Sequence, residues 1–431
     1  MRILVLSQYF SPETGAAQNR LSDLARRLAS AGHQVSVLTS MPNYPEGRIF
    51  KGYRGRLCSR QTKDGFSILR IWCYVSKRRD FMSRLLNYCS FAAFALLAGI
   101  IAFGKQDVIV VESPPLFLGM TGVALSRLRG SQMILNVSDL WPQSAISMGI
   151  LRNAAAIRIA FELEAYIYDR SDAITGQTEG IIDYVRRFTT AIPVELITNG
   201  VDPERFSAGT QWRDEIRHQL GFGNNFVVGY AGLHGLAQGL QTVLDAAELL
   251  GRNSNPVLFA LFGDGPEKRG LEAVAAARGL RNVLFFPPQP SEQMPRVLAS
   301  LDAAIVPLKN LPLFAGALPS KLFECMAAGL PILLSAPRGE ATNLVQRAKA
   351  GICVQPEDPV ALAEAIKQLN MDPAFCESAG QNARQYVGAH YDRAELARRF
   401  MRLLGSIHRD DLKHNIGASA ATSMQEQNLE L

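Results

Sequence analysis

No two of the six cysteines form a CxxC pair, and no histidine stands at zinc-ligand spacing from any of them. Neither a disulfide framework nor a structural zinc site is indicated, and reduced thiols in a cytoplasmic protein are expected. A GxGxxG turn is missing, as are low-complexity tracts and any repeat beyond a doubled βα pattern. A Rossmann oxidoreductase therefore lacks its fingerprint. Excess charge is also small. The 45 Lys and Arg face 39 Asp and Glu, and a net +6 is too mild for a dedicated nucleic-acid binder. No secretory h-region opens the chain, because Met1–Ser7 runs straight into a polar turn.

What is there suits an ordinary globular protein. The 431 residues are 48% hydrophobic, enough for two or three domains at roughly 100–200 residues each. Residues 2–7 read as a buried strand, 19–30 as an amphipathic helix and 34–40 as a second strand. This βαβ unit predicts an α/β fold with a doubly wound parallel sheet. Further strands are expected at 107–112, 132–137, 173–175 and 194–197. A second set follows at 225–231, 257–262, 283–286, 303–307 and 331–335. Between the sets, residues 199–225 are rich in Gly and Pro and read as a linker. The expected domains are 1–203 and 204–390, followed by a C-terminal helix at 391–410 and a disordered tail at 411–431.

Charge is concentrated in one place. Residues 48–84 hold eleven Lys and Arg against Asp64 and Asp80, a local +9 that leaves the rest of the chain at −3. Leu85–Gly104 then runs twenty residues without a charge. By length it is a transmembrane candidate. A span would, however, separate strands that should share one sheet. Segment 48–104 is therefore expected to dock on an anionic membrane surface, with a buried core helix or a true span as the alternatives. Taken alone, the basic cluster reads equally as a solvated loop.

Three turns carry candidate chemistry. Gly15, Gln18 and Arg20 belong to the first βα turn, whose helix N-terminus offers unpaired N–H groups to an anion. Gly235 and Gly263–Gly265 belong to similar turns in the second set. The clearest segment is Pro319–Pro331 (PSKLFECMAAGLP). There Ser320 and Lys321 open a short helix whose dipole favours phosphate, and Glu324, one turn on, can accept hydrogen bonds from a ribose diol. Asp139 follows an expected strand and is a candidate to bind or deprotonate an acceptor hydroxyl, or simply to cap the next turn. Glu112 and Trp141 are candidates to line the acceptor site, with a core position the alternative for Trp141.

PSKLFECMAAGLP resembles the nucleotide-sugar site of retaining GT-B glycosyltransferases of family 4. So do Asn199–Asp202 (NGVD), the glycine loop after Tyr230 and Phe262–Pro266 (FGDGP). Within that family, Gly15–Arg20 (GAAQNR), Ser138–Pro142 (SDLWP) and Gly235–Gly239 (GLAQG) look like the bacterial fucosamine and colanic-acid transferases. The resemblance implies two Rossmann-like domains facing a cleft. The nucleotide-sugar would be held by Gly15, Gly235, Ser320, Lys321, Leu322 and Glu324, and the acceptor by Gln18, Arg20, Glu112 and Trp141. It implies no metal, a polyprenyl-diphosphate-linked acceptor, no nucleic-acid partner and a place on the cytoplasmic face of the membrane. UDP-N-acetyl-L-fucosamine is the donor the sub-group suggests. Two departures stand out. Gly316 occupies the position of the family's first glutamate, and His234, Ala237 and Gln238 replace its basic pair, which leaves Lys321, with Arg20 or Lys268, to meet the diphosphate. A non-catalytic scaffold and a nucleotide-sugar 2-epimerase remain as alternatives on the same fold.

Overall fold

The computed structural model describes residues 1–408 apart from 14, 45–46, 79, 148, 208–209 and 252–256. The expected tail at 411–431 lies outside the described residues. The chain divides into two compact units, Met1–Asn199 with Ala394–Leu431, and Gly200–Arg393. The division falls a few residues before the expected boundary at 203/204, and the C-terminal helix counts with the first unit.

The first unit is built on β1 (Arg2–Leu6), β2 (Gln34–Ser40), β3 (Cys58–Lys63), β4 (Phe66–Ile71), β5 (Val108–Ser113), β6 (Gln132–Val137), β7 (Ala173–Gly176) and β8 (Val194–Leu196). They form one sheet in the order β3-β4-β2-β1-β5-β6-β7-β8. Neighbours are parallel except β3, which runs antiparallel to β4. Burial on both faces explains why the central strands β1, β5 and β6 are apolar almost throughout rather than alternating, whereas the edge strand β3 is polar and largely exposed. Along β1, Ile3 and Val5 join one buried cluster and Leu4 and Leu6 the other. Helices Phe81–Ala102 and Leu116–Arg129 cover the Leu4 face through Phe91, Ala95, Leu118 and Leu125. Helix Ala16–Ser30 and the C-terminal helix (393–408) cover the other through Leu21, Leu28, Phe400 and Leu403.

The second unit holds β9 (Val227–Ala231), β10 (Leu258–Phe262), β11 (Val283–Phe286), β12 (Ala303–Pro307), β13 (Ile332–Ser335) and β14 (Gly351–Val354). All neighbours are parallel, in the order β11-β10-β9-β12-β13-β14.

Two sequence expectations need correction. The segment 199–225 is not a linker. Pro203–Ser207 and Arg213–Leu220 are helices, with Phe206 and Phe222 in the core of the second unit. Arg213 and Arg217 both pair with Asp302, at 2.5 and 3.0 Å. The Gly and Pro of this stretch punctuate helices: Pro203 begins one, and Gly221, at φ 71°, caps another. In addition, part of the basic segment before the apolar helix is sheet, while Lys51, Arg54, Arg56, Lys77 and Arg78 lie outside strands. β3 and β4 form a hairpin in which Lys63 pairs with Phe66 around Asp64-Gly65, both with positive φ. Asp-Gly is the dipeptide such a two-residue turn prefers.

Candidate active site

In the second unit the site grows from the carboxyl ends of β9 and β10. Gly232 follows β9 and donates its N–H to the Phe262 carbonyl at 2.9 Å. A Cβ on Gly263, at φ 148°, would stand 1.9 Å from the Gly232 carbonyl oxygen. Only glycine lets these two loops touch backbone to backbone. A Cβ on Gly232 would meet the Lys321 ammonium at 2.9 Å, so the glycine turn leaves room for that side chain.

Lys321 stands in the first turn of helix Ser320–Ala327, with Ser320 as its opening residue. Its Nζ donates to the Tyr230 hydroxyl at 2.8 Å and lies 4.1 Å from the centre of the Tyr230 ring. The Tyr230 hydroxyl in turn donates to the Leu233 carbonyl at 2.6 Å. A neutral phenol is a poor counter-charge, and burial lowers the lysine pKa to about 8. Glu324, half-buried one turn on, has its carboxyl raised by burial, against the pull of Arg393, Arg205 and Lys321. Leu322 is placed differently from expectation. Its side chain is wholly buried in the core, and its N–H is bonded to the Pro319 carbonyl at 3.0 Å.

The replaced basic pair is not recovered nearby. The His234 ring is fully buried, and burial lowers its pKa to about 4, so it is neutral at pH 7. Lys268 donates to the carbonyls of Gly263 and Phe286, at 2.8 and 3.0 Å. Of Lys321, His234 and Lys268, the cation this loop region can turn to an anion is therefore Lys321.

In the first unit, the candidates at the strand ends gather into one buried polar network. Arg20 donates to Glu112 at 2.6 Å and to Ser138 at 2.9 Å. Glu112, 4% exposed, also accepts from Ser138 at 2.5 Å and Asn136 at 2.8 Å. Asn136 accepts in turn from Thr175 at 2.8 Å and Gln177 at 3.1 Å. Glu112 is thus committed to the scaffold rather than open to an acceptor, and Arg20 is already ion-paired. Gly15 precedes helix Ala16–Ser30, and Gln18 folds over it so closely that a Cβ there would meet the Gln18 Oε1 at 2.3 Å. The same relation joins Gly235 to Gln238 at 2.9 Å.

Asp139 lies beyond β6, half-buried. Burial raises its carboxyl, and the Ser144 hydroxyl and Leu140 amide oppose that rise. Both are groups of its own turn. Trp141 packs on the core clusters beneath it and sits 6.1 Å from the Phe117 ring, as a core side chain does.

Sequence reasoning missed Glu13, Asn136, Thr175 and Gln177. Glu13 is buried and accepts the backbone N–H groups of Phe10, Asn43 and Tyr44, at 3.1, 2.7 and 2.8 Å. It thereby ties the first βα turn to the loop after β2. The available signal was a polar residue inside or just past an apolar strand, as in the run MILNVS. Among the described residues no three His, Cys, Asp or Glu converge to hold a metal ion.

Residues 213–386 match the glycosyl transferases group 1 family, and residues 15–200 match the glycosyl transferase 4-like domain. A putative colanic acid biosynthesis glycosyl transferase, WcaI of Escherichia coli, is 28% identical over 93% of this chain and 99% of its own. A probable glycosyltransferase of Pseudomonas aeruginosa, WbjE, is 26% identical over 62% of this chain and 66% of its own. Among solved structures, sucrose-phosphate synthase from Thermosynechococcus elongatus superposes with a TM-score of 0.72, at 20% identity over 95% of this chain and 99% of that one. HepE of Anabaena, solved with UDP, gives 0.71 at 18% identity over 94% and 100%. Two family matches that between them take in most of both units, on two Rossmann-like sheets, make this chain a GT-B glycosyltransferase of family 4.

Proposed function

We propose that the chain transfers a sugar from a UDP-linked donor to a lipid-linked or oligosaccharide acceptor, with retention at the anomeric carbon, in the building of a surface polysaccharide. UDP-N-acetyl-L-fucosamine or a related deoxyamino sugar is the donor, a polyprenyl-diphosphate-linked glycan the acceptor, and the cytoplasmic membrane surface the place of work. The colanic-acid name of the Escherichia coli relative supports the pathway class, and the UDP and UDP-glucose complexes of HepE support the nucleotide. The observation that carries the reading is Lys321, a cation with a phenol for its partner at a helix N-terminus beside two glycine turns.

In this reading Lys321 and the first amides of its helix meet the diphosphate without a metal ion. Ser320 opens that helix, and Glu324 accepts from the ribose diol. The acceptor oxygen bonds to the anomeric carbon as the carbon–phosphate oxygen bond breaks, and the acceptor proton passes to the departing phosphate. Asp139 orients the acceptor hydroxyl.

Thermal-shift titration with UDP and with GDP tests the donor half. A nucleotide that binds only the folded state stabilises it by about 2.7 kcal/mol at one hundred times Kd. UDP is expected to raise Tm, and Lys321→Ala to abolish the rise while melting near the parent on its own. Failure of both nucleotides to shift the parent would sink this reading and favour a non-catalytic scaffold.

A further inference from the structure

The outer side of helix Phe81–Ala102 lacks what a water-facing helix normally has. Met82, Leu86, Phe94, Leu97 and Ile101 are exposed at spacings of four, eight, three and four, and Ile100 lies beside them. Leu97 is 54% and Ile101 83% exposed. The helix is long and apolar enough to cross a membrane, yet only 17% of its apolar window is buried, so it is not a core helix. Its neighbour extends the surface. Met120 and Leu128 are exposed on Leu116–Arg129.

A true span conflicts with the connectivity. The helix joins β4 to β5, and both belong to the same eight-stranded sheet. It is also fastened along its length to helix Leu116–Arg129. Thr121 donates to the Ala92 carbonyl at 2.9 Å, and Arg129 to that of Ile100. A Cβ on Gly99 would stand 2.5 Å from Leu125, so the two helices touch closely. Leaving the sheet to cross a bilayer would undo all of this.

Charge selects the occupant. Neither Phe81–Ala102 nor Leu116–Arg129 contains an Asp or Glu, whereas Arg84, Lys105 and Arg127 are exposed at their ends. Two copies of such a face would bring like-charged rims together, whereas an anionic bilayer attracts the rim to its headgroups and takes the apolar centre into its acyl boundary.

We propose that the outer face of Phe81–Ala102 and Leu116–Arg129 docks flat on an anionic lipid bilayer. The exposed Leu, Ile, Phe and Met side chains enter the acyl boundary, and the arginines and lysines pair with headgroup phosphates. This deepens the membrane part of the proposed function but does not depend on the donor site. The same helix sends Asn87 to Gln8 at the carboxyl end of the β1 strand, at 2.5 Å, so docking fixes the height of that strand end above the bilayer.

Flotation of the full chain with vesicles tests this. The protein is expected to float with phosphatidylglycerol-containing vesicles, and only weakly with pure phosphatidylcholine. High salt should weaken the binding. Leu97→Glu/Ile101→Glu alters only exposed side chains and should lower vesicle binding at least about tenfold, with the circular dichroism and UDP thermal shift of the parent retained. The proposal falls if the parent does not float or if the folded double variant floats as the parent does. It falls equally if an alkaline carbonate wash leaves the protein in membranes, as a span would. A dimer dispersed by the substitutions, with no vesicle binding, would replace the bilayer by a second copy.

Discussion

At the carboxyl end of its first strand, each unit places a glycine and, three residues on, a glutamine: Gly15 and Gln18 in one, Gly235 and Gln238 in the other. Beyond that turn they diverge. The first unit neutralises its cation, for Arg20 meets Glu112 at 2.6 Å inside a hydrogen-bonded network that takes up both carboxylate oxygens. The second unit leaves its cation with a phenol, Lys321 on Tyr230. A closed network makes a rigid floor, and an open cation makes a receptor for an anion. The same βα plan thus serves as scaffold on one side and, in the proposed function, as ligand site on the other.

Breaking the closed network should cost the most. Glu112→Ala leaves the Arg20 guanidinium buried and unpaired, and removing one partner of such a pair typically costs about 3–5 kcal/mol. Urea unfolding followed by circular dichroism should show the loss, and restoring the charge balance with Arg20→Met in the same chain should recover much of it. If Glu112→Ala unfolds at the parent's midpoint, the network is not the scaffold described here.

The first unit also holds a charge on phenols. Glu164 is 1% exposed and accepts from Tyr168 at 2.8 Å and Tyr184 at 2.9 Å. Burial raises its pKa to about 7, from 4.5. A folded-state value above the unfolded one means the folded chain holds the proton more tightly. The group's contribution is therefore fully present below pH ~4.5 and lost as pH rises through about 7. Glu164→Gln, which cannot ionise, should escape a loss of about 3 kcal/mol. Its advantage over the parent in urea midpoint should be larger at pH 8 than at pH 5. An advantage that does not change with pH would remove Glu164 as the titrating group.

How much of this could be read in advance follows the range of each interaction. The βα alternation and the helix opened by Ser320 and Lys321 are written in neighbouring residues, so period and motif reveal them. The Asp64-Gly65 hairpin is equally local, but the surrounding charge drew attention from the turn signal to a membrane reading. The 199–225 segment misled for the opposite reason, since Pro203 and Gly221 are as suited to helix ends as to a linker. The networks stayed hidden because their members are far apart in sequence. Arg20 and Glu112 are separated by 92 residues, and Tyr230 and Lys321 by 91. Only strand order brings β5, β6 and β7 side by side, and only then do Glu112, Asn136 and Thr175 find one another. Apolarity of Leu85–Gly104 was plain, whereas which of its residues face outward depended on where Leu116–Arg129 lies.

The smallest effect separates an open cation from a closed one by pH alone. Burial beside a neutral phenol holds the Lys321 pKa at about 8, against 10.5 for a free lysine. The amine is charged below about 8 and neutral above it. A diphosphate binds the charged form, so UDP affinity should be level at lower pH and weaken as pH rises through 8, by up to about tenfold per unit. Bound UDP favours the ammonium, so the complex itself should take up protons near pH 8, and calorimetry in buffers of different ionisation enthalpy reads that uptake directly. Lys321→Arg keeps its charge across this range and should flatten the profile even where it binds UDP less well. A flat parent profile between pH 7 and 9 would mean that the lysine already has an anionic partner, and the contrast between the two units would fail at its central residue.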